Sequence, residues 1–186
     1  MPTYTCPTCG KTHEEWPALA FSSPTAYLML TDDEARDMAE LSSDFCVIKY
    51  PETTDRFIRC TLTIKVKDHC ENLEYGVWAS LSEQSFQDYI DNFSNPDHDA
   101  TYFGWFANDL PEYRIPDEGI PTNVCTRKGG QRPEIQPHRS AENKLSFEYH
   151  QGITEAEAKR RIEAMINAVN AGTHTEIQRK RWWKFW

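Results

Sequence analysis

The residues best suited to chemistry are a closely spaced cysteine pair, Cys6 and Cys9, followed by Gly10 and His13. Two thiolates separated by two residues, with Pro7 between them, can turn towards one tetrahedral metal ion, because zinc–sulfur bonds are only about 2.3 Å long. A single cysteine pair supplies half of a closed structural site. Two further ligands are therefore expected from elsewhere in the chain.

The identity of those further ligands is open from sequence. The candidates are His13, Cys46, Cys60, His69, Cys70, Cys125 and His138. His13 is near enough to Cys9 to fold back onto the same ion, and Cys46 begins a predicted strand just after an acidic turn. Cys60 alternates with apolar residues, as a core cysteine does, and Cys70 lies in a polar loop as a free thiol. The predicted ligand set is Cys6, Cys9, His13 and Cys46, with zinc favoured over iron for a mixed Cys/His site.

Catalytic motifs are sparse in this sequence. A thioredoxin-like CxxC follows a strand and opens a helix, but only five residues precede Cys6. A zinc deaminase needs a His-x-Glu ahead of its Cys-x-x-Cys, and none precedes this pair. HExxH, GxSxG and phosphate-loop patterns do not occur. We therefore expect a protein that is not an enzyme, with a zinc enzyme whose ion has an open position near Arg127 and Arg132 as the alternative.

The aromatic and basic residues suggest surfaces for partners. Residues 179–186 combine four bases with three tryptophans and a phenylalanine. Such a tail packs on its own domain or a second subunit, enters a membrane surface, or anchors a protein partner. The candidate partner-binding residues are Trp78, Trp105, Arg127, Arg132, Trp182, Trp183 and Trp186.

Charge and composition narrow the class of partner. The net charge is −9, and the fourteen residues from Thr173 onward carry four bases against one acid, which leaves −12 on the rest. An acidic body repels phosphates, so we expect no nucleic acid and favour a basic protein partner. With no secretory signal, no long apolar span and six cysteines, we expect a cytoplasmic protein.

Hydrophobic periodicity predicts the elements that must position these residues. A capping box at Thr31 and Glu34 predicts a helix to about Leu41, and a second box at Thr154 predicts one to about Ala171. Ser82 is expected to cap a third helix. Predicted strands cover residues 45–50, 56–67, 75–81, 101–107, 122–127, 134–138 and 144–150. Strict alternation over residues 56–67 predicts one buried and one solvated face.

Several motifs occur together in a fixed order. They are Cys6-x-x-Cys9-Gly10-x-x-His13, Ser43-Asp44-Phe45-Cys46-Val47-Ile48, Phe57-Ile58-Arg59, Tyr75-Gly76-Val77-Trp78-x-Ser80-Leu81-Ser82, Tyr102-Phe103-Gly104-Trp105, Thr126-Arg127 with Gly130-Gln131-Arg132-Pro133, and Gln151-Gly152-Ile153-Thr154. This series resembles the bacterial family known as domain of unknown function 2199, over about residues 6–168. The resemblance implies a bacterial cytosolic domain without an established activity, and it places His13 and Cys46 inside family motifs.

These observations predict an α+β fold: a mostly antiparallel sheet with helices packed on one face and an N-terminal CxxC zinc knuckle. Residues 1–172 are expected to form a single domain, with the knuckle at residues 6–13, and residues 173–186 a basic-aromatic tail. The predicted function is protein binding with a structural zinc, for example as an immunity protein that neutralises a toxin. Membrane-surface association through the tail is a further alternative.

Overall fold

The computed structural model describes residues 3–6, 10–113, 115–116, 119–140, 142–170 and 175–178, with backbone alone for Tyr4 and residues 175–178. The strands are β1 (Thr3–Thr5), β2 (Thr12–Glu14), β3 (Ala18–Phe21), β4 (Ala39–Leu41), β5 (Phe45–Lys49), β6 (Thr54–Ile64), β7 (Leu73–Leu81), β8 (Thr101–Phe106), β9 (Pro121–Arg127), β10 (Gln131–Pro137) and β11 (Thr175–Gln178). The helices are α1 (Thr25–Leu28), α2 (Asp32–Met38), α3 (Glu83–Asp91), α4 (Lys144–Gln151) and α5 (Glu155–Asn170).

Five strands close into a barrel. Each strand from β6 to β10 is antiparallel to the next one. The ring closes where β10 also pairs with β6, as a parallel neighbour, at Glu134 and Thr61. Strand β3 lies parallel to β7 and carries β11, while β5 and β4 extend the sheet from β6. The predicted α+β class with a mostly antiparallel sheet is confirmed. Closure of the sheet was not predicted.

The barrel interior is the centre of the hydrophobic core. Alternate residues of adjacent strands share a face, so the register places the following buried side chains together: Ile58, Cys60, Leu62, Tyr75, Val77, Ala79, Tyr102, Phe106, Val124 and Ile135. Helices α4 and α5 add Leu145, Ala158 and Ile162 to the same core. Burial of this apolar surface is the main force that holds strands and helices together.

The opposite face of residues 56–67 is solvated at Lys65 and Lys67, as predicted, but not in the middle of β6. Arg59 and Thr61 are 6% and 8% exposed. Arg59 lies over the Trp78 ring at 6.0 Å and donates to the Ser43 carbonyl, while the Thr61 hydroxyl donates to the Pro133 carbonyl. Segments from elsewhere in the chain therefore cover a face whose polar residues suggested contact with water.

Helix α2 begins as predicted and ends earlier. Thr31 and Glu34 form both hydrogen bonds of the capping box, at 3.3 Å and 2.8 Å. The helix stops at Met38 rather than Leu41, because Ala39–Leu41 pairs with β5 as β4. At the other predicted starts, Ser82 caps α3 and the Thr154 hydroxyl accepts from the Glu157 amide.

The predicted strand at residues 144–150 is wrong, since these residues form α4. Asn143 caps the helix by accepting from the Ser146 amide. The Ser146 hydroxyl donates to the His138 carbonyl at 2.6 Å, which ties the first turn to the barrel. Alternation of Leu145 with Phe147 suggested a strand, but Leu145 is fully buried and Phe147 is 58% exposed. Two such residues on opposite sides of a helix produce the same local pattern.

The chain between Gly10 and Pro24 contains two short strands. Strand β2 pairs with β1 in a separate hairpin, and β3 joins the main sheet. None of the helices that the structure describes is both long enough and apolar enough to cross a membrane.

Candidate metal centre

The first half of the site is the turn that joins β1 to β2. The Cys6 amide donates to the Lys11 carbonyl and the Gly10 amide donates back to the Cys6 carbonyl, both at 2.8 Å. Gly10 has a φ of +71°, a left-handed conformation that residues with a Cβ rarely adopt. Cys6 is buried, with 3% of its surface exposed. Cys9 lies outside the described residues.

Three ligand-type side chains meet at this turn. The Cys6 sulfur, a His13 ring nitrogen and the Cys70 sulfur all lie within 4.8 Å of one another. Cys6 and His13 come from the β1–β2 hairpin, whereas Cys70 comes from the loop between β6 and β7. The group therefore joins two parts of the chain that are separated by more than fifty residues.

The spacing suits a single metal ion. In a tetrahedral zinc site, bonds of about 2.3 Å to sulfur and 2.0 Å to nitrogen place neighbouring ligand atoms roughly 3.5–3.8 Å apart. The separations here are at most 4.8 Å, so shifts of about 1 Å bring all three atoms to bonding distance. A Cys/His/Cys group can thus hold a metal ion at this position.

An aromatic and hydrogen-bonded layer supports the group. The Trp16 and His69 rings are stacked, with centroids 4.2 Å apart, and His69 contacts the edge of His13 at 4.9 Å. The Glu71 amide donates to Nδ1 of His69 at 3.0 Å, and the Trp16 amide donates to the Glu71 carboxylate at 3.4 Å. These contacts orient the loop that carries Cys70 and hold it against the chain that follows β2.

Cys46 is not part of this group. It lies in β5, opposite Leu41 of β4 and Phe57 of β6, and its side chain is fully buried in the core. Burial and the nearby Asp55 charge raise the pKa of the Cys46 thiol to about 12. A metal ligand must be a thiolate, so this environment opposes metal binding. Cys70, which was expected to be a free thiol, occupies the position expected for Cys46.

The other cysteines lie away from the group. Cys60 is a core residue as expected, and burial raises the pKa of its thiol. Cys125 is half-buried on β9, where the Thr101 hydroxyl donates to its sulfur at 3.8 Å. Among the described residues, Cys70 is the member of the group that the predicted set omitted, and His69 is the neighbour that contacts His13. The sequence signal for these two residues is that a histidine and a cysteine are adjacent in a polar loop, where a cysteine has no role in the hydrophobic core.

The predicted partner-binding residues differ in their exposure to solvent. Trp78 cannot contact a partner, because it is fully buried and its Nε1 donates to the Phe21 carbonyl at 3.1 Å. Trp105 is 40% exposed on the outer side of β8, beside exposed Phe103. Arg127 and Arg132 flank the turn of the β9–β10 hairpin and line a pocket. Trp182, Trp183 and Trp186 lie outside the described residues.

The fold and this group together define a small α+β barrel domain with an N-terminal Cys/His cluster that can hold a metal ion. The chain belongs to a bacterial family described as uncharacterized protein conserved in bacteria (DUF2199), whose model matches residues 5–153. Neither the curated proteins nor the solved structures include a match to the chain. The match covers Cys6, His13, Cys70 and all five strands of the barrel.

Proposed function

We propose that this protein is a binding domain whose N-terminal hairpin is joined to the barrel by a structural zinc ion. The ligands would be Cys6, His13 and Cys70, with Cys9 as the fourth because it follows Cys6 at the usual spacing of a cysteine pair. The observation that carries the proposal is the approach of three ligand atoms to within 4.8 Å of one another. Zinc suits this donor set because thiolate and imidazole are its usual structural ligands.

The β1–β2 hairpin needs such a link. Each strand has three residues, and Thr3, Thr5 and Thr12 are all exposed. An isolated two-stranded hairpin of this size is at best marginally stable in water. A zinc ion shared with the loop of Cys70 would supply the missing stability, as metals do in other small motifs.

Metal analysis of purified protein tests the zinc site. We expect about one zinc per chain, and strong loss of zinc in Cys70→Ser. Cys125→Ser and Cys46→Ala are matched controls, because both remove a thiol that lies outside the group, and both should retain the metal. Zinc retained by Cys70→Ser, or lost equally in Cys46→Ala and Cys70→Ser, would overturn the assignment.

A zinc enzyme remains the second candidate, because Cys70 is exposed and would leave the ion open to small molecules. Replacement of zinc by Co²⁺ separates the two proposals. A closed tetrahedral site with three thiolates gives strong visible absorption that added anions do not change. A site with three protein ligands and a water changes its spectrum when an anion binds.

We further propose a basic protein partner, with toxin neutralisation as the specific form of this role. The net charge of −9 supports electrostatic attraction to a basic surface. Exposed Phe103 and Trp105 offer aromatic contacts for such a partner. Co-purification with the product of the neighbouring gene tests this role, and absence of a complex at low ionic strength would count against it.

The cytoplasm is the proposed location. The described cysteines Cys6, Cys46, Cys60, Cys70 and Cys125 are all outside disulfides. A zinc site with several thiolates persists most readily in a reducing compartment.

A further inference from the structure

A second polar site lies beside the end of α3. It is a pocket of about 290 Å³ between the end of α3, the loop that follows it, and the β9–β10 hairpin. Asp44, from the turn before β5, forms part of its wall. None of the residues that line it belongs to the Cys/His group. Its volume is near the lower end for small-molecule sites.

One ion pair holds this pocket in shape. Nε of Arg132 donates to Oδ1 of Asp44 at 2.7 Å, and both side chains are about one-fifth exposed. The Arg132 carbonyl in turn accepts a hydrogen bond from Nε of Arg127 at 2.8 Å. The Nε–H of Arg127 is thereby committed to the backbone, which fixes the orientation of its guanidinium group. This is the preorganisation that a binding site needs.

The positive charge of Arg127 is not balanced locally. Within the described part of the chain, no carboxylate lies within 4.0 Å of its guanidinium, and its two Nη atoms make no hydrogen bond. The pocket wall carries Arg127, Arg132 and Asp44, a net charge of +1 on a protein whose net charge is −9. Tyr89 and His98 are the other titratable groups in the wall, and Nε2 of His98 is engaged with the Tyr102 hydroxyl at 2.7 Å.

Neutral donors and an aromatic wall complete the pocket. The side-chain amide of Gln131 and Nδ2 of Asn95 make no hydrogen bonds to the residues that the structure describes. Tyr89 and Phe93 of the α3 segment form the apolar side, with ring centroids 5.9 Å apart. A cationic fork, two amides and aromatic rings are the features that bind an anionic group attached to an apolar body.

We propose that this pocket binds a small organic molecule that carries a terminal oxyanion, a carboxylate or a phosphate, on an apolar ring. The two Nη groups of Arg127 receive the oxyanion, because a guanidinium matches two oxygens in one plane. Tyr89 and Phe93 contact the ring. The metal ion plays no part in this binding.

Calorimetric titration of the full-length, zinc-loaded protein at low ionic strength tests this proposal. The probes are phenyl phosphate and benzoate, with inorganic phosphate as the probe that lacks the ring. We expect saturable binding of at least one ring-bearing anion with a Kd in the millimolar range or tighter, and weaker binding of inorganic phosphate. The preferred ring-bearing probe shows whether the oxyanion is a phosphate or a carboxylate.

Two neighbouring variants decide the role of Arg127. Arg127→Gln should weaken binding at least about tenfold, which is the effect of losing one charged hydrogen-bonded contact. Lys128→Gln removes the same charge from the exposed turn beside it and should change the Kd less than about twofold. Arg127→Lys retains the charge without the planar fork and should give intermediate affinity.

Equal affinity in Arg127→Gln and wild type, or no saturable binding of either ring-bearing anion up to about 10 mM, would overturn the proposal. Zinc content and circular dichroism of Arg127→Gln should match the wild type, so failure of this pocket is distinguishable from failure of the metal site.

Discussion

The rings of Trp16 and His69 are stacked with an interplanar angle of 3° and a centroid separation of 4.2 Å. Trp16 follows β2, and His69 precedes Cys70 in the loop between β6 and β7. The stack therefore joins the two segments that supply the Cys/His group. Trp16 is also 1% exposed, so it belongs both to the hydrophobic core and to the support of the site.

Replacement of Trp16 by alanine should therefore be strongly destabilising. Loss of a buried aromatic side chain and the cavity left behind cost about 3–5 kcal/mol of unfolding free energy. Trp105→Ala is the matched control, because Trp105 is 40% exposed, and it should cost about 1 kcal/mol or less. Urea denaturation of zinc-loaded protein measures both values. Similar losses in the two variants would contradict the central position of Trp16.

The Asp44–Arg132 pair should make stability depend on pH. Burial alone would raise the pKa of Asp44, but hydrogen bonds from Arg132 and Ser43 and the charges of Arg132 and Arg59 outweigh burial and hold this pKa below its usual value of 3.8. The folded state therefore binds the proton less readily than the unfolded chain. The stability contributed by Asp44 is present above about pH 4 and is lost as the pH falls through the lower, folded-state pKa.

Asp44→Asn tests this dependence. We expect the variant to be destabilised by about 1–3 kcal/mol at pH 7, because Arg132 loses its charged partner in a partly buried position. The difference between wild type and variant should shrink as the pH is lowered from 5 towards 2. Thermal or urea unfolding at several pH values provides the measurement, and a difference that is constant across this range would be inconsistent with the proposed ion pair.

Arg161 and its neighbour Arg160 provide an internal comparison on α5. Arg161 is 1% exposed, and it donates to Glu148 at 2.6 Å, to Glu157 at 2.8 Å and to the Tyr113 hydroxyl. Arg160 contacts the same Glu157 from the solvent side. Arg161→Met should cost about 3–5 kcal/mol of unfolding free energy, because it leaves buried polar groups without their partner.

Arg160→Met should cost much less, because solvent screens the exposed ion pair. Urea denaturation of the two variants in the same buffer measures the contrast. An Arg160 variant as unstable as the Arg161 variant would show that the buried network does not carry the expected energy.

Alanine substitutions at Gly152 and Gly129 distinguish the cost of backbone strain from the cost of a steric clash. Both have positive φ, +76° and +78°, but a Cβ on Gly152 would lie 2.8 Å from the Lys65 carbonyl oxygen, whereas one on Gly129 would meet nothing within 4 Å. Gly129→Ala should cost about 1 kcal/mol from backbone strain alone. Gly152→Ala should cost at least about 2–3 kcal/mol, because α4 must also move away from the end of β6. Comparable thermal shifts for both variants would rule out the close approach to Lys65.

Local patterns were enough to predict most elements of the fold. The capping box at Thr31 and the helix cap at Ser82 act over a few residues, and both occur as predicted. The strand prediction for residues 144–150 was wrong because two apolar residues spaced two apart fit either one face of a strand or opposite sides of a short helix. In the helix, the Ser146 hydroxyl donates to the His138 carbonyl, a contact that the local sequence pattern does not encode.

The sequence by itself determined that a cysteine pair, a nearby histidine and several more cysteines were available as metal ligands, because side-chain chemistry and short spacing are local properties. Only the tertiary structure decided between Cys46 and Cys70. The β4–β5–β6 pairing buries Cys46 in an apolar environment, while the Trp16–His69 stack brings the loop of Cys70 to the hairpin. Closure of β10 onto β6 similarly brings Arg132 to Asp44, across a separation along the chain that no local pattern encodes.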